Sequence, residues 1–207
     1  LILNLFSLNQ AKAQTIADFS TISPTVRIVA YDGGYNGQFF PHSAGSGTLI
    51  SKDGLILSNN HVIQDNLDHI LKAFLICFSI KNNQEPVCEY TARLVARSIK
   101  QDLALLKIDP TDIRGNPITG LPSLNYLNDA QPKVGDKITI TGFPDIGGST
   151  ITSTEGTISG FSDSQDFGDV SLFKSSTAVS SGNSGGTVQD ASGNFIWAKA
   201  MGGTEND

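Results

Sequence analysis

Three short segments hold side chains whose types and setting suit acyl-transfer chemistry. In Gly182-Asn183-Ser184-Gly185-Gly186 a hydroxyl stands among glycines. A nucleophile needs this, because the backbone must turn sharply and let a carbonyl approach within van der Waals contact. The turn would also aim the N–H groups of Gly182 and Ser184 at one spot, an oxyanion hole, where losing one donor typically costs about 2.7–4 kcal/mol of transition-state stabilisation. In Ser58-Asn59-Asn60-His61-Val62 an imidazole follows a short apolar strand, placed on a turn from which it can reach outward as a general base. Asp102-Leu103-Ala104-Leu105-Leu106 sets a carboxylate at the head of an apolar run. Partly buried there, it needs a donor; a histidine Nδ1–H would serve, fixing the tautomer of the ring. Each segment alone has an ordinary alternative: a plain β-turn, a structural histidine, an aspartate capping a turn before a strand. His42 and His69 lack a comparable setting and read as surface or loop residues.

The elements that must position these groups are short β-type runs separated by Gly, Asn, Asp and Pro. Candidate strands are 26–30, 47–51, 55–58, 70–80, 90–96 and 103–108, then 137–142, 154–161, 171–174, 186–189 and 194–201. Lys137-Ile138-Thr139-Ile140-Thr141 alternates as a half-buried strand does. Regular spacing of this kind predicts an all-β sandwich or barrel, with helix confined to a short turn through His61-Val62-Ile63. Between the two sets, 109–122 contains Pro110, Gly115, Pro117, Gly120 and Pro122, so it cannot hold a central strand or a helix and reads as a linker. The expected organisation is a half over 14–108 carrying His61 and Asp102, the linker 109–122, and a half over 123–207 carrying Ser184.

Composition agrees with an all-β reading. The chain has 207 residues, of which 39% are hydrophobic and only 16% charged, and its 21 glycines suit many turns. A formal net charge of -6 excludes the basic excess that a phosphate-binding surface needs, so nucleic acid is not an expected partner. Leu1 to Leu8 is mostly apolar and Ala11-Lys12-Ala13 follows, which reads as the end of a secretory signal peptide over 1–13 with a mature start near Gln14. A buried strand or a frayed terminus is the alternative. The run is too short to span a bilayer, so no stable membrane insertion is expected after cleavage.

Cys77 and Cys88 flank the polar stretch Lys81-Asn82-Asn83-Gln84. A hairpin turning on that stretch places the two opposite each other at a non-hydrogen-bonded pair, where side chains approach most closely. A disulfide there could add roughly 3 kcal/mol and would fit export; two reduced cysteines on one face are the alternative. No His or further Cys stands at ligand spacing, so neither a metal nor an organic cofactor is expected.

The three segments occur in the order His, Asp, Ser. Gly45-Ser46-Gly47-Thr48-Leu49-Ile50 leading to Asn59-Asn60-His61-Val62, then Asp102-Leu103-Ala104-Leu105-Leu106, then Ser181-Gly182-Asn183-Ser184-Gly185-Gly186 resemble the trypsin-like serine proteases, and most closely the bacterial HtrA-type and related stand-alone peptidases. Val134-Gly135-Asp136 with Gly142-Phe143-Pro144 resembles the opening of that family's second barrel. The resemblance implies a chymotrypsin-like pair of six-stranded antiparallel β-barrels with the active site in the cleft between them. It also implies roles: Ser184 attacks, His61 takes and returns the proton, Asp102 orients His61. Peptides or unfolded exported proteins would be substrates of a secreted or periplasmic enzyme. A catalytically silent binding module on the same scaffold is the alternative.

The departures concern activation and specificity. Asn183 stands where many digestive relatives carry an Asp that pairs with a freed N-terminal ammonium, so activation by N-terminal insertion is not expected. Ala178, expected near the base of the primary pocket, carries no negative charge, which disfavours a preference for Arg or Lys. Lys199, Ala200 and Gly202 would line the same pocket, beside an atypical Trp197; Lys199 either favours an acidic substrate residue or points to solvent. The second barrel is expected to lack a closing strand within this sequence, and a PDZ domain is common in relatives.

Overall fold

The computed structural model describes residues 23–34, 37–124, 132–146, 148–164 and 170–197; the expected signal peptide over 1–13 lies outside them. Strand β1, Thr25–Gly33, shows why the first half closes on itself: Val26, Ile28 and Ala30 alternate inward and are fully buried. A strand with one apolar face must bury it, and a curled antiparallel sheet does so while removing its own open edges. Strands β2 (Phe39–Leu49), β3 (Leu55–Ser58), β4 (Ala73–Phe78), β5 (Val87–Ser98) and β6 (Leu103–Ile108) complete a closed barrel in the order β1-β2-β3-β6-β5-β4. Leu49, Ile56, Ile76, Phe78 and Leu106 fill its interior.

The 109–122 segment lies against this barrel. Leu121 is buried in the barrel's core and Ile118 packs on it, while Thr111 and Pro117 bridge across the Gly115 turn. The Cys77–Cys88 disulfide joins β4 to β5 at a directly opposed pair with Cα atoms 4.0 Å apart. Beyond that pair the register slips by one, so that Ile76 faces Tyr90. The extra residue is Glu89, which is buried and pairs with Arg114 of the 109–122 segment at 2.6 Å. A bulge of this kind re-aims one side chain, and here it aims a carboxylate at the segment that follows the barrel.

The second half is a five-stranded antiparallel sheet among the described residues: β7 (Lys137–Gly142), β8 (Thr152–Ser164), β9 (Val170–Ser175), β10 (Thr187–Asp190) and β11 (Phe195–Trp197), in the order β11-β10-β7-β8-β9. Ile138, Ile140, Ile158 and Val188 form its core, with Phe173 and Ile196 against them. The fold is all-β, a closed barrel beside a second, partly open sheet, as in a chymotrypsin-like double barrel. The halves meet through buried hydroxyls: Thr25 and Thr187 bond at 2.6 Å, and Thr48 and Thr187 at 2.9 Å.

Candidate active site

His61 sits on a single 3-10 turn, Asn60–Val62, immediately after β3. The next two residues anchor the turn, because Val62 and Ile63 are buried in the first core, and Ser43 Oγ donates to the Val62 carbonyl at 2.8 Å. The imidazole stays at the surface, with 46% of the side chain accessible. Apolar anchors below and an exposed ring above are the arrangement that a proton-transferring group needs.

Asp102 heads β6 in a left-handed conformation, φ 50°. That region costs a non-glycine residue of order 1–2 kcal/mol, least for Asp and Asn, and the histidine turn supplies the compensation. Asn59 Nδ2 donates to the Asp102 carbonyl at 2.7 Å, and the Asn60 N–H donates to the same oxygen at 3.2 Å. The carboxylate is held too: Oδ1 accepts the His61 N–H at 2.9 Å, and Oδ2 lies 2.8 Å from His61 Nδ1. With Nδ1–H donating to the carboxylate, Nε2 keeps its lone pair for another proton.

Ser184 lies on the loop between β9 and β10, at 8% exposure. Its carbonyl accepts the Ser46 N–H at 2.8 Å, which ties the loop to β2 of the first barrel. Gly45 shows how near the loop comes to the histidine turn: the position of a Cβ there lies 2.7 Å from Val62 Cγ2 and 3.3 Å from the Ser184 carbonyl oxygen. The residue after His61 and the backbone of Ser184 thus flank one glycine. Two glycines in the loop are required. Gly182 has φ 91°, and a Cβ on it would stand 2.3 Å from the Phe143 carbonyl; Gly185 has φ 79°, and its Cβ would stand 2.2 Å from the Ser46 carbonyl.

Among the described residues, the N–H groups of Gly182 and Ser184 have no hydrogen-bond partner, and the Ser184 hydroxyl has none either. The directions of those N–H groups follow from planar trans peptides, in which C=O and N–H point opposite ways. The Ser181 carbonyl accepts from Asp145 N–H at 2.8 Å, and the Asn183 carbonyl accepts from Gly186 N–H at 2.8 Å. The Gly182 and Ser184 N–H groups are therefore turned away from those anchors.

Of the expected specificity residues, Ala178 is exposed and its carbonyl accepts from Thr154 Oγ1 at 3.2 Å; Lys199, Ala200 and Gly202 lie outside the described residues. A groove of about 560 Å³ opens on the polar face of the second sheet, between Lys137, Thr139, Glu155, Thr157 and Gln189, and includes none of His61, Asp102 and Ser184. Two contributors escaped the sequence reading. Asn59 stands out in the sequence only as part of the histidine motif, and its partner, the Asp102 carbonyl, is 43 residues away. Ser46, between two glycines, gives no sign of its partners in the second half, Phe143, Gly182 and Ser184.

The family model of the trypsin-like peptidase domain matches residues 45–196. A probable periplasmic serine endoprotease, DegP-like, from Hahella chejuensis is 32% identical over 155 residues, covering 74% of this chain and 29% of the relative. The protein of that name from Rhizobium meliloti is 32% identical over 77% of this chain and 28% of its own length. The chain thus spans less than a third of the curated relatives it matches. The crystal structure of the serine endoprotease from Yersinia pestis superposes with a TM-score of 0.60 at 26% identity, over 84% of this chain and 52% of that one. A closed barrel bearing a paired histidine and aspartate, a glycine-flanked serine tied to it from a second sheet, and a family match across 45–196 lead to one assignment: the chain belongs to the trypsin-like peptidase family.

Proposed function

We propose that this chain is a serine endopeptidase that cleaves peptide bonds through an acyl-enzyme. The observation that carries the reading is the two-point attachment of Asp102 to His61, through the main-chain N–H and through Nδ1. That attachment leaves His61 Nε2 to accept the proton of the Ser184 hydroxyl while its oxygen attacks the scissile carbonyl. The negative oxygen so formed is received by the N–H groups of Gly182 and Ser184. His61 then returns the proton to the leaving amine, and water repeats the sequence on the ester. The Ser184 hydroxyl makes no bond to His61 among the described residues, and such catalytic contacts are often long before substrate binds and tighten in the complex.

The division of labour follows the halves proposed from the sequence: 14–108 brings the base and its carboxylate, 109–122 connects, and 123–207 brings the nucleophile. Substrates are peptides or unfolded proteins. An exported location is supported by the periplasmic names of the relatives and by the Cys77–Cys88 disulfide. In the proposed pocket Ala178 offers no charge to an Arg or Lys side chain; Lys199, Ala200 and Gly202, outside the described residues, are proposed with it from the sequence alone.

A peptide-library digest tests this reading. The folded protein should release products, and Ser184→Ala and His61→Ala should reduce the rate to background. Absence of any cleavage by the folded protein would favour the silent binding module.

A further inference from the structure

Ser46 belongs to β2 of the first barrel and is fully buried, yet its polar groups serve the loop of the second half. Its N–H donates to the Ser184 carbonyl at 2.8 Å, and its hydroxyl donates to the Gly182 carbonyl at 2.6 Å. The same hydroxyl accepts the Phe143 N–H at 2.9 Å, and the Ser46 carbonyl accepts from Ser58 Oγ at 2.7 Å. Ser58 stands three residues before His61.

The peptide unit joining Gly182 to Asn183 separates the two N–H groups that would receive the oxyanion. Its carbonyl goes to Ser46 Oγ and its N–H goes to the Ser180 carbonyl at 3.1 Å. With glycine on one side, this unit has little steric resistance to rotation, so the hydrogen bonds at its two ends fix it. The Phe143–Asp145 segment is bound to the same hydroxyl at Phe143, and at Asp145 it holds the Ser181 carbonyl, which sets the direction of the Gly182 N–H.

We infer that Ser46 is a positioning residue for the oxyanion hole: its hydroxyl clamps the peptide between the two donors and couples that loop to the strand beside the general base. This deepens the proposed function and rests on it. Removing the hydroxyl, as Ser46→Ala does, leaves a buried carbonyl and a buried N–H unpaired at the point where the loop must not turn.

The test compares wild type, Ser46→Ala and Ser46→Thr in the full-length protein, using a cleaved peptide and a peptide aldehyde of the same sequence. The aldehyde forms a tetrahedral adduct whose oxygen occupies the hole. In Ser46→Ala we expect kcat to fall by about 10–100-fold, less than the loss of a direct donor, with KM within threefold (~0.5 log unit) and aldehyde inhibition weakened about 10-fold or more. Ser46→Thr, which keeps the hydroxyl, should recover most of both losses. A purely structural role would lower the melting temperature and leave kcat and aldehyde inhibition at wild-type values, and that result overturns the inference. If Ser46→Ala does not fold, Ser46→Cys, with a weaker donor of similar shape, should move both readouts in the same direction; unchanged values there also overturn it. A wild type that neither cleaves peptide nor binds aldehyde would refute the proposed function instead. Crystal structures of wild type and variant would then decide on Ser46: a rotated Gly182–Asn183 peptide supports the inference, and an unmoved one overturns it.

Discussion

Asn59 donates its side-chain amide to the main-chain carbonyl of Asp102 at 2.7 Å, and Asp102 stands in the left-handed region at φ 50°. Asn59 is fully buried, and its bond crosses from the histidine turn to the head of β6. Together with the Asn60 N–H it holds the backbone of a residue whose carboxylate must face His61.

Asn59→Ala should therefore cost about 1–3 kcal/mol of stability, because it removes a buried donor from a strained carbonyl. It should also lower kcat more than it raises KM, since in the proposed mechanism the loosened Asp102 orients His61 and does not touch substrate. Urea denaturation and steady-state kinetics on the same preparation check both halves of this expectation.

The disulfide lies in the β4–β5 hairpin, apart from the hydrogen bonds that hold His61, Asp102 and Ser184. Replacing both cysteines, Cys77→Ala with Cys88→Ala, should cost about 3 kcal/mol in the chain-entropy picture. Thermal unfolding should shift down while kcat of the folded protein stays within twofold (~0.3 log unit), and reductant should no longer alter the melting point.

Tyr90 is buried beside Phe78, ring centroids 5.0 Å apart and nearly perpendicular. Burial, helped by the nearby Glu89 and Asp112 charges, pushes its hydroxyl up to about 12. The unfolded chain releases this proton first, near pH 10. The contribution is present below that pH and is lost as pH rises toward 12, because only the folded state then holds the proton. Stability measured from pH 9 to about 12 should fall more steeply in wild type than in Tyr90→Phe, and the difference curve isolates the phenol.

How much of this was legible in the sequence depends on the range of the contacts involved. Lys137–Gly142 and Leu103–Ile108 were readable because alternation or an apolar run marks them, and the structure has both strands as expected. Strand β2 starts at Phe39, although the sequence reading began it at 47. The missed part, Phe39 to Ser46, contains Pro41 and Gly45 and lacks β-branched residues; Pro41 is accommodated where the register with β1 shifts, between Ala30 and Tyr31. The Cys77–Cys88 pairing was legible from hairpin geometry, but the bulge at Glu89 was not, since one unpaired residue leaves no periodic trace over so short a strand.

At the candidate site, His61, Asp102 and Ser184 stand out in the sequence because glycines and strand ends mark where a side chain can be held on a fixed backbone, and the structure pairs the first two at 2.8 Å. Ser46 and Asn59 act through bonds to residues far along the chain, Ser46 Oγ to Gly182 and Phe143 and Asn59 Nδ2 to Asp102. Local pattern carries no information about such partners. They become visible only once the chain is folded.

A nucleophilic Ser184 activated by His61 should react with a fluorophosphonate probe, and peptide mass spectrometry locates the adduct. One stoichiometric adduct is expected, located on Ser184, absent from Ser184→Ala and strongly slowed in His61→Ala. An adduct on another serine, or no adduct on folded wild-type protein under conditions that label a known serine protease, would contradict it.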